Sequence, residues 1–320
     1  MDLIYANEQR QDLGVLLDYA LDLAYGKDEN DFECRIAANV HCCRPGFVLY
    51  IEGTEYGGFV DAIESDTANQ EVIYSGRTWH GVLNSKVIQP GDSDYLIVRG
   101  EANAIIATLL RQLGLDNLFQ ASSESSGLQL NFYQMPRYIP AYDGIRKMLS
   151  TVGGKLLTTF KDGKVILSAV AKHDYSQDEE FDSDLMDFQV KQNHSTVNHL
   201  ICLGRGELSE RTVIHLYADA DGNISQKQTQ FGLDEYAAVY DYSNAESDDE
   251  LKTHGTERLS ELRKAVEMSV DFEADTDLYH VGDIVGAREH ITGIFVAAEI
   301  TKKIVTIKNG QTNISYKVGD

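Results

Sequence analysis

The sequence predicts a β-rich α+β protein, and three observations lead there. Asn309-Gly310 gives a two-residue type I′ hairpin turn, because both central residues of that turn need positive φ and Asn and Gly tolerate it. Val305 and Ile307 lead into it at period two, and Ile314, Tyr316 and Val318 lead out, so one face of the ribbon is apolar. Alternating runs of the same kind fill residues 1 to about 100 and return after about 197, while three other segments space their apolar residues at helical intervals.

Over residues 1–100, Phe47-Val48-Leu49-Tyr50-Ile51 and Tyr95-Leu96-Ile97-Val98 are expected strands, with turns at Gly53, Gly57-Gly58 and Gly91-Asp92. A short helix is expected at Thr78 to Leu83. Ala102 to Leu113 puts Ile105, Ile106, Leu109, Leu110 and Leu113 on one helical face and ends at Gly114. Tyr142 to Val152 repeats the device with Ile145, Met148, Leu149 and Val152, stopped by Gly153-Gly154, and a hairpin follows about Asp162-Gly163. Asp174 to Asp187 is acidic and expected as an exposed loop. Val197 to Leu203 and Thr212 to Ala218 are strands, followed by a turn at Asp221-Gly222-Asn223. Ser247 and Glu250 form a capping box that opens a helix running through Leu251, Leu259, Leu262 and Val266. The segment from Asp275 onward is a closing antiparallel meander, with a further turn at Gly282-Asp283. A helix between β-rich runs is most simply an insertion into one barrel whose strands pair across it.

At 320 residues the chain exceeds one ordinary domain, and two or more are expected. With 28 Lys plus Arg against 51 Asp plus Glu, the net charge of −23 opposes phosphate-backbone binding, which needs clustered cations. No apolar run is long enough to span a bilayer, and Met1-Asp2-Leu3-Ile4 lacks a basic leader, so a protein made and kept in a cytosol, or leaving it by lysis, is expected. Cys34, Cys42, Cys43 and Cys202 are too few for a disulfide framework and are expected as reduced core or surface residues. On a strand, adjacent Cys42 and Cys43 would point to opposite faces and could not chelate together.

Few patterns suggest chemistry. Tyr217 to Asn223 starts like an oxygen-rich calcium loop but lacks the twelfth-position glutamate, and a hairpin turn explains the same residues. Gly204 to Ser209 carries the first glycines of a phosphate loop, yet Glu207 and Glu210 would repel an anion and no helix follows. His194 and His199, five apart, face opposite sides of a strand, and adding Cys202 does not complete a tetrahedral site. Carboxylates are numerous enough for a glycosidase-like pair to arise by folding, although no pair stands out. Trp79 beside Val82 and Leu83 is expected as a core anchor, with stacking on a ligand the lesser role. No catalytic, cofactor-binding or metal residue is assigned.

Several stretches resemble one family. They are Leu3-Ile4-Tyr5-Ala6, Tyr74-Ser75-Gly76-Arg77-Thr78-Trp79, the run from Asn198 to Leu208, Val213 to Tyr217, Asp241 to Glu246 and Val281 to Gly286. In this order they resemble the tail-tip or baseplate-hub proteins of phages and prophages of Gram-positive bacteria, related to the N-terminal hub region of tail-associated lysins. The resemblance implies a hub fold of two tail-tube-like antiparallel β-barrels with two smaller α-containing domains. The barrels would be 1–100 and 172–240 plus 276–320, the smaller domains an α+β unit at 101–171 and a helical insertion at 241–275. It further implies a homotrimeric ring of pseudo-sixfold symmetry, with tail tube or distal tail proteins on one side and a spike, fibre or lysin on the other. DNA would only pass through the lumen, no membrane or cofactor would be involved, and the place of action would be the virion tail tip. Because the chain stops at Asp320, a wall hydrolase is expected on another polypeptide. The competing class is a soluble cell-wall-degrading or carbohydrate-binding protein.

Overall fold

The computed structural model describes residues 2–91, 93–177, 180–182, 189–192, 196–219, 222–245, 247–263, 266–274, 277–288 and 291–319. They form a β-rich fold with few helices: α1 (Trp79–Asn84), α2 (Ala102–Gln112), α3 (Ala141–Ser150) and α4 (Asp248–Leu262). The chain makes two compact units, Met1–Phe188 with Ser269–Asp320, and Gln189–Met268.

In the larger unit one antiparallel sheet runs in the order Gln311–Val318, Phe295–Lys308, Ala20–Gly26, Asp31–Ala37, Glu71–Arg77, Ala62–Asp66. Residues 270–274 of the strand Val266–Ala274 extend it beside Gln311–Val318. An early strand and a late one therefore share a sheet, Lys302 pairing with Gly26 and Lys308 with Ala20. A second antiparallel sheet has the order Asp12–Leu16, Leu3–Ala6, Val48–Tyr50, Gly57–Phe59. Helices α2 and α3 pack with the hairpin of Gly154–Lys161 and Lys164–Ala171, whose Asp162-Gly163 turn has positive φ at both residues. One core joins these parts: Ala6, Val48 and Tyr50 meet Trp79, Ile106, Met148 and Phe160, and the Trp79 ring stacks on Phe160 at 5.1 Å. Burial of so many large side chains, each stabilising by roughly 1.5–3 kcal/mol, ties the N-terminal sheet to the α+β segment.

The smaller unit is a four-stranded sheet, Ile224–Ser225, Val213–Ala218, His199–Leu203, Ala237–Asp241, the last strand parallel to its neighbour. Helix α4 lays Leu251, Gly255 and Leu259 on the sheet face formed by Leu200, Cys202 and Leu216. Ser247 Oγ accepts the Glu250 N–H at 3.2 Å, as the capping pattern predicts.

Several expectations change. The strands His199–Leu203, Val213–Ala218 and Ala237–Asp241 pair with one another, and the C-terminal meander pairs with Ala20–Gly26 instead. Helix α4 covers their apolar face unaided, so these strands need nothing from the meander. That helix ends at Leu262, and Val266 opens a strand. Within the acidic run, Glu180–Asp182 is a short strand parallel to residues 286–288, and residues 178–179 and 183–188 lie outside the described ones. Gly57-Gly58 is strand, not turn; a Cβ on Gly58 would lie 2.0 Å from the Arg77 carbonyl oxygen, so the glycine serves close backbone approach. Cys42 and Cys43 lie on no strand, and their sulfurs are 3.8 Å apart.

Candidate functional site

Among the described residues of the larger unit, a cluster of ionisable groups surrounds Lys303. The burial pattern of Phe295–Lys308 places Lys303 inward in phase with Val305 and Ile307. Its side chain is fully buried. The ammonium bonds Glu55 Oε1 at 2.8 Å and also Asp277 Oδ1. Tyr25 donates to Glu55, and Tyr56 donates to Asp277 Oδ2 at 2.5 Å. The rings of Tyr25, Tyr56 and Tyr316 surround the ammonium at 5.3–5.9 Å, within cation–π range. His80, on α1, stacks on Tyr25 at 4.4 Å, meets Tyr142 edge-on, and brings Nε2 to 3.8 Å from Glu55. Its Nδ1 has no hydrogen-bond partner among the described residues.

Environment fixes the charge states. Burial alone would raise the Glu55 carboxyl, but the charges of Lys303 and His80 and the hydrogen bonds from Lys303 and Tyr25 hold it below the usual range. Burial would likewise lower the Lys303 ammonium, and Glu55 with Asp277 raises it instead. His80 is pushed down to about 4, chiefly by burial, with Glu55 opposing and Arg146 and Lys303 adding. At neutral pH Lys303 is thus an ammonium against the Glu55 carboxylate, beside a neutral His80 imidazole. Lys303 has no lone pair to offer as a nucleophile. The arrangement joins segments 248 residues apart rather than presenting a reactive group.

A second buried pair works the same way. Lys155 Nζ reaches both oxygens of Asp283 at 2.6 Å, and Asp283 also accepts the backbone N–H groups of His173 and His280. Burial would raise the Asp283 carboxyl; hydrogen bonds from His280, Lys155 and His173 outweigh it and hold it down to about 2. Asp283 belongs to the turn predicted at Gly282-Asp283, where Gly282 has a φ of +103°.

The motifs singled out in the sequence are elsewhere. Asp219 accepts from the N–H and side-chain amide of Asn223, an Asx-type turn, and residues 220–221 lie outside the described ones. In the Gly204–Ser209 stretch, a Cβ on Gly206 would lie 2.4 Å from the Glu210 carbonyl, so this is a tight connection between strands. His194 lies outside the described residues. His199 Nδ1 pairs with Glu235 at 2.5 Å and its Nε2 with His215 Nδ1 at 2.8 Å, on the sheet face opposite Cys202. Among the described residues no group of His, Cys, Asp and Glu is arranged to hold a metal ion, and no helix is long and apolar enough to cross a membrane. The open groove beside α2, about 670 Å³, is lined by residues such as Val87, Ile88, Pro90 and Leu109, with Lys86 its one ionisable side chain among the described residues. Sequence reasoning passed over Lys303, Glu55 and Asp277. The available signal was a lysine in phase with a buried stripe.

A β-rich unit with a sheet-and-helix unit set into its chain is a fold that solved phage tail proteins share. The chain is similar to the 43 kDa tail protein of prophage MuSo2 from Shewanella oneidensis, at 10% identity and a TM-score of 0.58, covering 99% of this chain and 98% of that one. A tail protein from Neisseria meningitidis is similar at 11% identity and a TM-score of 0.55, covering 100% and 96%. Prophage tail protein gp18 from Listeria monocytogenes is similar at 12% identity and a TM-score of 0.52, covering 99% and 94%. No protein-family model and no curated protein matches the chain.

Proposed function

We propose that this chain is a non-enzymatic structural protein of a phage or phage-like tail, acting as a hub ring at the distal end. The observation that carries the reading is likeness in fold over nearly the whole length of three tail proteins. In this reading three copies close into a ring of two tube-like β-barrels and two smaller domains each. The six barrels meet a sixfold tail tube, and the three equivalent lower faces meet a spike, fibre or lysin. The buried charges support the reading, because the Lys303 and Lys155 ammonium groups are each bonded to carboxylates as internal clasps. Net acidity fits passage of DNA, since carboxylates on a lumen wall repel phosphates and leave the duplex free to slide.

Three-dimensional reconstruction of the assembled tail tests both parts. Threefold order at this level, with a lumen richer in Asp and Glu than in Lys and Arg, is expected. Sixfold or twofold copy number there would sink the ring. A lumen dominated by lysine and arginine would leave the acidity as a matter of solubility alone.

A further inference from the structure

Cys42 and Cys43 lie in the connection that leads from Asp31–Ala37, in the larger sheet, to Val48–Tyr50, in the second sheet of the same unit. In a strand, successive side chains alternate between opposite faces, and successive N–H groups point to opposite sides. This segment does neither. Tyr74 Oη accepts the backbone N–H of Cys42 at 3.0 Å and that of Cys43 at 3.2 Å, and it pairs with His41 Nδ1 at 2.9 Å. With both lone pairs taken by amides, the phenol proton goes to His41 Nδ1. Two consecutive amides aimed at one oxygen need a turned chain, and the two thiols lie together, their sulfurs 3.8 Å apart. Tyr74 is fully buried on Glu71–Arg77, so the clamp is anchored in the larger sheet.

The four thiols differ in access. Cys34, Cys43 and Cys202 are fully buried, and Cys42 alone of the four reaches the surface. Burial pushes the Cys34 thiol up to about 12 and is the chief cause raising those of Cys43 and Cys202. A thiolate is the nucleophile in thiol–disulfide exchange, so Cys42 is the sulfur that an external disulfide meets first. Cys43, in contact behind it, is placed to resolve the product.

We propose that Cys42 and Cys43 are a redox modification site for low-molecular-weight disulfides of the glutathione class, closing to a disulfide between the two neighbours. The step balances as two exchanges. Cys42, its proton given to solvent, attacks the external disulfide; a mixed disulfide forms and one small thiolate leaves, taking up a proton from water. The Cys43 sulfur then attacks the Cys42 sulfur, the bond to the second small thiol breaks, and the Cys43 proton leaves with it. Two protein thiols lose two electrons, and one small disulfide is reduced to two thiols. Neighbouring Cα atoms lie about 3.8 Å apart, short of the roughly 4.4–6.8 Å that disulfides prefer, so the closed bond is strained and easily reduced. It stays open in a reducing cytosol and closes in oxidising surroundings. Closure pins the connection between the two sheets, and the inference is independent of the ring reading.

The test exposes the reduced, folded full chain to excess glutathione disulfide at neutral pH, blocks the remaining thiols with N-ethylmaleimide in denaturant, and reads intact and tryptic masses. Two of the four thiols should be lost. The peptide that starts at Ile36 should be two hydrogens lighter and unlinked to the peptide ending at Arg35, which carries Cys34. Excess reduced glutathione should restore both thiols. Cys43→Ala should stop at one glutathione adduct on Cys42, and Cys42→Ser should leave its thiols unreacted; each variant is first checked for an unchanged Trp79 fluorescence spectrum. Four free thiols after an exposure that oxidises the urea-unfolded chain would overturn the site. So would a lasting adduct on Cys42 of the unsubstituted chain, a bond between Cys34 and Cys43, or a bond between chains.

Discussion

Acidification from pH 7 to pH 4 should weaken the larger unit by about 3 kcal/mol through His80 alone. The imidazole is buried between Tyr25 and Tyr142, and its folded-state pKa is about 4 against an ordinary 6.5. A depressed histidine pKa means that the unfolded chain takes up the proton first. Above pH 6.5 neither state is protonated there and the contribution is complete. Between 6.5 and about 4 the unfolded state binds more protons, so stability falls with pH and levels off once the folded side chain is protonated too. That window of about 2.5 units, at roughly 1.36 kcal/mol each, gives the magnitude, and the near-complete burial of the ring means that solvent screening does not reduce it. Glu55, Lys303 and Arg146 are the charged groups facing His80, and Glu55, held below its usual range, stays ionised through most of the window. The perturbation is His80→Phe, which keeps a ring on Tyr25 but cannot titrate. Trp79, the lone tryptophan and fully buried in the same helix, reports the larger unit in urea titrations. Wild type should lose about 3 kcal/mol more than the variant between pH 7 and pH 4. Curves that stay parallel to within about 1 kcal/mol would refute the reasoning.

Lys303→Met leaves Glu55 and Asp277 facing each other without a cation and should cost about 3–5 kcal/mol in the same titration; a loss under about 1 kcal/mol would mean that water or another cation replaces it. Gly255→Ala should destabilise the smaller unit by roughly 1–3 kcal/mol despite alanine's helix preference, because the new Cβ would meet Cys202 Sγ at 2.5 Å. Hydrogen exchange at the α4 amides reads the sign, and slower exchange would contradict it. Ser247→Ala should cost about 0.5–2 kcal/mol by the same readout, with protection lost first in the opening turn of α4.

Local pattern was enough for some elements and not for others. The Asn309-Gly310 hairpin, α1, α2, α3 and the start of α4 follow from turn chemistry, caps and periodicity within a dozen residues, and all are where those signals place them. Gly57-Gly58 misleads because a glycine pair looks alike whether it turns the chain or admits another backbone; only the approach of Arg77 decides. The far end of α4 misleads because Val266 continues the apolar spacing while beginning a strand. Pairing of the meander with Ala20–Gly26 is non-local, and no pattern within either strand encodes it. The Lys303 cluster has the same obstacle: Glu55 and Asp277 are surface-like residues in sequence, and folding alone brings them to a lysine inside an apolar stripe.

That lysine adds a second constraint on register to the one the apolar stripe sets. The strand Phe295–Lys308 changes inward phase at the bulge between Ile300 and Lys302, so Ile300 is buried on one side of it and Lys303, Val305 and Ile307 on the other. A slip by one residue brings either Ile304 or Lys302 to the place of Lys303. Ile304 would leave the buried Glu55 without its cation, at a cost of roughly 3–5 kcal/mol. Lys302 would supply the charge but put Thr306 where Ile307 is buried and turn Val305 and Ile307 outward, each forfeiting about 1.5–3 kcal/mol of burial. Apolar phase opposes both slips, since either one turns Val305 and Ile307 outward, and charge independently opposes the slip that brings in Ile304. Together they leave a single register for the strand that joins the end of the chain to its beginning. A buried ion pair often gives little net stability relative to a well-packed apolar core, so its contribution here lies in uniqueness of pairing, and a Lys303→Met chain that regained stability by repacking would be expected to lose that uniqueness first.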